Sequence, residues 1–359
     1  MIKACCISEY TNDKHERAIR AACAEHGYDI AFYRDAAEAE GHLADVEVAY
    51  LSYHAKSTLA EMRSLKWCHV DSAGVTGYIY TGIFDDGAVK LTNSSGAFGR
   101  AISEHIIMFT LMLMRKMPEY QAIAERREWK RDLPIRSIAG SRIAIVGTGD
   151  LGRTAAANFK GLGAASVIGF NRSGKAPVEN NAATTTITAT TLVDDSCIDE
   201  LNNIAIEGQS TKSNRSPFDS VHKMDEFEEY AGDLDVLVMC VPDTPSTRNM
   251  LNAERIAALP ETAYIINVGR GVTIDQDALI EALNEGRIAG AALDVVVPEP
   301  LPEDHPLWDA KNCIITPHCS GDMGLEYSVD KTFEIFCKNL GRYAHGEDLI
   351  NQVDPSVGY

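Results

Sequence analysis

Positive charge is what this sequence is short of: 33 lysines and arginines face 52 acids, a formal net charge of −19 over 359 residues. A surface of that sign repels polyanions, which excludes nucleic acid and anionic membrane as partners. An anionic ligand must then be met by individually placed cations, so single arginines carry weight. The chain has nine cysteines but no C-x-x-C pair, and no His, Cys, Asp or Glu spacing of a metal centre. Cys5-Cys6, Cys23, Cys68 and Cys240 are expected as reduced thiols, several within apolar runs where they pack as small hydrophobes. Met1-Ile2-Lys3-Ala4 runs straight into a strand pattern, with no hydrophobic leader and no bilayer-length run anywhere, so a cytoplasmic protein is expected. Hydrophobic residues at 45% supply real cores, and the length suits about two domains.

The chain is organised around Arg142-Ile143-Ala144-Ile145-Val146-Gly147-Thr148-Gly149-Asp150-Leu151-Gly152. The apolar run reads as a buried parallel strand, and Arg153 to Phe159 as the start of a helix. Gly147, Gly149 and Gly152 have the G-x-G-x-x-G spacing. The first glycine permits the sharp turn, the second lets backbone approach a pyrophosphate, and the third lets helix and strand pack closely. A helix N-terminus then offers free N–H groups to phosphate. A purely structural βα turn is the alternative.

Before this turn, residues 2–7, Ile30 to Tyr33, Val46 to Leu51 and Trp67 to Val70 read as strands. A helix over Asp13 to His26, capped by Gly27, separates the first two, and the alternation implies parallel βαβ units. Asp71-Ser72-Ala73-Gly74-Val75 follows a strand end, where backbone N–H groups near Gly74 can hold a carboxylate. Ala101 to Met117 reads as a long buried helix rich in methionine, a core or hinge element. Later strands are expected at Val167 to Phe170, Val236 to Val241, Tyr264 to Val268, Ile288 to Val297 and Cys313 to Thr316. A low-complexity stretch with a threonine-rich run interrupts the rhythm at about 177–217, as a surface insertion or a hairpin near the adenosine end.

After Phe170 the sequence lacks the acid that an NAD-preferring site places against the ribose hydroxyls. Asn171-Arg172-Ser173 stands there instead, and Arg172 can pair with a 2′-phosphate. NADP is therefore expected ahead of NAD, unless Arg172 stacks on adenine or turns to solvent. Arg270, Glu299 and His318 each follow a strand of one sheet, so they converge on its ligand crevice. A cation for a carboxylate and its carbonyl, an imidazole for the proton, and an acid to orient the imidazole are what reversible carbonyl reduction requires.

These stretches resemble the D-isomer-specific 2-hydroxyacid dehydrogenase family over nearly the whole chain. The match runs through Ser72-Ala73-Gly74-Val75, Asn93-Ser94-Ser95-Gly96, Ser103-Glu104-His105 and the glycine turn. It continues through Val241-Pro242, Thr244-Pro245, Ile266-Asn267-Val268-Gly269-Arg270-Gly271, Asp294, Glu299-Pro300-Leu301-Pro302, Pro306-Leu307-Trp308 and Thr316-Pro317-His318. The resemblance implies an α/β protein of two doubly wound parallel-sheet domains with a cleft between them. The flavodoxin-like substrate domain would comprise 1–100 plus 322–359, with a returning helix around Leu325 to Tyr343. The Rossmann cofactor domain would comprise 101–321. It implies Arg270, Glu299 and His318 as catalytic residues, with His318 the general acid/base. Gly147, Gly149, Asp150, Leu151, Gly152, Asn171, Arg172, Ser173, Val241, Pro242, Thr247, Val268 and Gly269 would bind the cofactor, with Asp294 on the nicotinamide carboxamide. Gly74, Val75, Tyr53, Arg270 and His318 would meet a 2-oxo acid or D-2-hydroxy acid, and the family usually forms homodimers, here with the Trp129 segment in the arm. Tyr53, His54, Val75 and Tyr78 suggest room for an apolar or aromatic side group, with glyoxylate and hydroxypyruvate also open. A cofactor-sensing binding protein, like the related C-terminal-binding corepressors, is the competing reading.

Overall fold

The computed structural model describes residues 1–85, 87–176 and 216–355; the threonine run and most of the expected insertion lie outside these. Two sheets account for the architecture, and every strand pair in both is parallel. The first holds β1 (Ile2–Ile7), β2 (Tyr28–Tyr33), β3 (Val48–Leu51), β4 (Trp67–Val70) and β5 (Lys90–Thr92) in the order β2-β1-β3-β4-β5. That is the flavodoxin-like order. The second holds β6 (Arg142–Val146), β7 (Ser166–Phe170), β8 (Ser220–His222), β9 (Val236–Met239), β10 (Tyr264–Asn267), β11 (Gly290–Leu293) and β12 (Cys313–Ile315). Its order, β12-β11-β10-β9-β6-β7-β8, is doubly wound about the β6/β9 switch point, as in a Rossmann sheet.

Strands buried on both faces explain the unbroken apolar runs. Ala144 and Val146 of β6 face one core, and Ile143 and Ile145 face the other. In β1 the same alternation sends Cys5 to one face and Cys6 to the opposite one. Burial pushes the Cys6 thiol up to about 12, so these cysteines behave as inert packing groups.

The helix Asp13–His26 forms where expected, with Asn12 capping its start and Gly27 closing it at φ 80°. The helix expected over Ala101 to Met117 is instead Gly99–Met114, followed by a second helix, Met117–Glu125. Lys116 turns left-handed between them (φ 59°), and Pro118 opens the second helix, where its missing N–H costs nothing. The first of the two is a core helix, with Ile106, Phe109, Leu113 and Met114 buried, while Met108 on it and Met117 on the second are exposed. Two short strands, β5 and β8, escaped the sequence pattern because Lys90–Thr92 and Ser220–His222 lack the apolar run that marks the equally short β12. The helix Glu326–Ala344 returns to the first sheet, where Phe333 and Phe336 pack on Tyr50 and Trp67. Gln352 bridges to Thr92 beside it.

Candidate active site

Between the two sheets lies a cleft of about 1310 Å³, lined from both sides by residues at the carboxyl ends of strands. That volume exceeds the range of ordinary small-ligand pockets and leaves room for a dinucleotide with a small acid beside it.

Its floor is the glycine turn. Gly147 adopts φ 100°, a conformation that side chains rarely tolerate, and a Cβ there would lie 2.6 Å from the Cys240 carbonyl. A Cβ on Gly152 would run into the Gly147 carbonyl, so helix Asp150–Gly161 can sit on β6 only with glycine there. Gly149 has open space where its Cβ would be, on the cleft side of the helix N-terminus. That empty approach is what a pyrophosphate needs, so these residues fit a dinucleotide. Gly147, Gly149 and Leu151 line the cleft, whereas Gly152 serves packing. The Asp150 carboxylate turns away from the cleft towards Gly99 on the neighbouring helix, near Arg153 and Lys331.

At the far end, Asn171, Arg172 and Ser173 all line the cleft after β7. Asn171 Oδ1 accepts from Ser173 N at 3.0 Å and Gly174 N at 2.8 Å, so this side chain shapes the turn that presents Arg172 and Ser173. Lys223, just past β8, joins them, with its stem against Gly174. Lys223 was not singled out from sequence because its strand was not recognised. Val241, Pro242, Thr247, Val268 and Gly269 form the wall at the ends of β9 and β10. Thr247 locks that wall by donating to the Pro242 carbonyl at 2.6 Å.

Arg270, Glu299 and His318, far apart in sequence, all reach the same part of the cleft. Glu299 Oε2 and His318 Nδ1 are 2.8 Å apart. Burial raises the Glu299 carboxyl, but the His318 hydrogen bond, the Val296 N–H and the charges of His318 and Arg270 outweigh it and hold it below its ordinary value. With Nδ1 engaged by this carboxylate, Nε2 is the nitrogen left for a ligand. The Arg270 guanidinium crosses to the opposite domain, where a Cβ on Gly74 would collide with its Nη2. Burial lowers the guanidinium, Glu299 and Asp243 act against that, and an arginine stays charged throughout. Below, Asn267 holds the arginine loop: its side-chain amide donates to the Arg270 carbonyl at 3.0 Å and its oxygen accepts from Gly269 N at 3.0 Å.

Asp294 does not meet the cleft. Its carboxylate is fully buried, and both oxygens are engaged by Thr316 (2.5 Å), Cys319 N (2.9 Å) and Ser320 N (2.9 Å). Burial alone would raise this carboxyl, but those donors lower it. These contacts clamp the loop that carries His318 in a left-handed conformation, φ 55°. On the other side of the cleft, Gly74, Val75 and Tyr53 line the wall as expected, and Tyr53 is 59% exposed. Tyr78 does not: it is wholly buried and donates to the Ser52 carbonyl at 3.2 Å. In its place the wall holds Tyr10 and Asp71, which sequence reasoning passed over although Asp71 opens the Gly74 stretch.

The model of the D-isomer specific 2-hydroxyacid dehydrogenase family, NAD binding domain, matches residues 107–198 and 202–320, more than half of the chain. The chain belongs to this family. It is a family of nicotinamide-dependent oxidoreductases, and the matched span contains the glycine turn, Arg270, Glu299 and His318. Glyoxylate/hydroxypyruvate reductase A of Photorhabdus laumondii is 27% identical over 306 residues, 84% of each chain. An uncharacterized protein in the proB 3′ region of Corynebacterium melassecola is 41% identical over 141 residues, but those are 39% of this chain and 46% of that one. Among solved structures, a family protein from Aeromonas salmonicida superposes with a TM-score of 0.78 at 29% identity over 99% of both chains. The NADPH-dependent glyoxylate/hydroxypyruvate reductase of Sinorhizobium meliloti, solved with NADP and sulfate, gives 0.75 at 25% identity over the full length of both.

Proposed function

We propose that the protein reduces a 2-oxo acid to the D-2-hydroxy acid, reversibly and with NADP(H) in preference to NAD(H). The observation that carries this reading is the meeting of Arg270 with Gly74 across the cleft, beside the Glu299–His318 pair. A substrate carboxylate fits between the guanidinium and the Gly74–Val75 backbone, leaving its carbonyl beside Arg270 and His318. Bound along the glycine turn, the cofactor supplies the hydride. His318 supplies the proton from Nε2 to the developing alkoxide, Glu299 fixes the ring and balances the imidazolium charge, and Arg270 polarises the carbonyl. Closure of the cleft excludes water from the reacting atoms.

The NADP preference is supported by Arg172, Ser173 and Lys223 at the adenosine end, where no acid follows Phe170. It is further supported by the NADP bound to the Sinorhizobium relative. NADPH and NADH oxidation with glyoxylate, hydroxypyruvate, pyruvate, phenylpyruvate and 2-ketoisocaproate tests both parts. Turnover favouring NADPH is expected, and Arg172→Ala with Lys223→Ala should shrink that preference about 10- to 100-fold. Preference for NADH discards the phosphate-binding role; no turnover with any acid discards the reductase in favour of a sensing protein.

A further inference from the structure

One buried acid in the cleft wall has no part in that chemistry. Asp71 directly follows β4, is 4% exposed and lines the cleft, three residues before the glycine that meets Arg270. Its carboxyl takes hydrogen bonds from the Tyr53 backbone N–H and from its own, and the charged group bearing on it is another acid, Glu9. Around it stand the phenols of Tyr10, Tyr50 and Tyr78. Among the described residues no lysine, arginine or histidine forms an ion pair with it. Tyr50 already shares a hydrogen bond with Thr332, and Tyr78 donates to Ser52.

A buried carboxyl without a cation weakens a fold, and an apolar residue would fill the same wall at less cost. Burial accordingly pushes this carboxyl up to about 7. An acceptor kept under those conditions on a ligand wall is suited to a donor that arrives with the ligand.

We propose that Asp71 is a specificity residue, accepting a hydrogen bond from a hydroxyl on C3 of the substrate and so selecting 3-hydroxy-2-oxo acids over those with a bare alkyl group. The proposal rests on the reductase reading, which places the substrate carboxylate at Arg270 and Gly74–Val75. From there the C3 substituent is the part of the substrate left to face the Asp71 wall. A bare methyl would desolvate the carboxyl and add no donor to its backbone N–H partners, the situation in which polar sites discriminate well.

The test compares kcat/KM for hydroxypyruvate and pyruvate with NADPH, using glyoxylate, which lacks C3, as the reference substrate. In the wild-type enzyme hydroxypyruvate should lead pyruvate by about 10- to 100-fold. Asp71→Leu should bring the ratio to near one or invert it, raising pyruvate and lowering hydroxypyruvate relative to glyoxylate. Asp71→Asn, which keeps the shape and an acceptor, should retain part of the preference. It carries the test if the leucine variant fails to bind NADPH in a fluorescence titration. A ratio near one in the wild type, or one that neither substitution changes, overturns the Asp71 role while leaving the reductase standing. No turnover with any of the three acids overturns both.

Discussion

At the scale of single residues, the site separates chemistry from positioning. His318 faces the cleft through Nε2, so His318→Gln should lower kcat by about 10²–10⁴-fold with little change in KM. Arg270→Ala should raise KM as well, because it removes the carboxylate's partner in addition to the carbonyl's. Steady-state kinetics with a saturating cofactor distinguish the two. Asp71 makes a different prediction. Its folded-state carboxyl titrates at about 7, above the ordinary 3.8. Between those values the unfolded chain releases its proton first, so stability present at low pH is lost as pH rises through about 7. Asp71→Asn should therefore raise the melting temperature at pH 8 and have little effect at pH 4. Scanning calorimetry at both values checks it.

At the scale of elements, the site depends on backbones brought closer than side chains allow. The contact between β6 and helix Asp150–Gly161 is set by Gly152, whose Cβ position is taken by the Gly147 carbonyl. Gly152→Ala must push the helix away from the strand, costing about 2–3 kcal/mol and displacing the N–H groups from the pyrophosphate. Urea unfolding should show the loss of stability, and a fluorescence titration should show weaker NADPH binding. Gly149→Ala is the contrast: no neighbour occupies its Cβ space, so it should impair cofactor binding more than folding. The loop after β12 is held differently, through Asp294. Its lowered carboxyl contributes stability above the ordinary carboxylate range that is lost as pH falls through its depressed value.

At the scale of the whole molecule, the chain crosses from the first sheet to the second and returns through helix Glu326–Ala344. That helix fills the first sheet's outer core with Phe333 and Phe336, both buried. Phe336→Ala should cost about 3–5 kcal/mol, although it lies outside the nucleotide turn. A fall in the denaturant midpoint with glycine-turn geometry intact, reported by residual NADPH affinity at low denaturant, would show that the two sheets are separately stabilised. Cofactor and substrate together should also narrow the cleft, lowering the radius of gyration in small-angle scattering relative to the free protein.

Much of this was legible in one dimension because its causes are local. Parallel strands buried on both faces leave continuous apolar runs, and a glycine turn leaves its spacing, so β6 and the dinucleotide loop were readable directly. Arg270, Glu299 and His318 were readable because strand ends of one sheet share a rim. Side-chain direction was not, since it depends on packing between segments distant in sequence. Thus Asp294 turned inward to clamp the His318 loop, Asp150 turned towards Gly99, and Tyr78 withdrew into the core while Asp71 took its place on the wall. Strands such as β5 and β8 carry no apolar run of their own and exist because neighbouring strands pair with them. The sequence by itself determined which backbone could approach a phosphate and which residue types could move a proton. Only the tertiary structure decided which polar groups face the cleft, because burial and hydrogen-bond partners arise when distant segments meet.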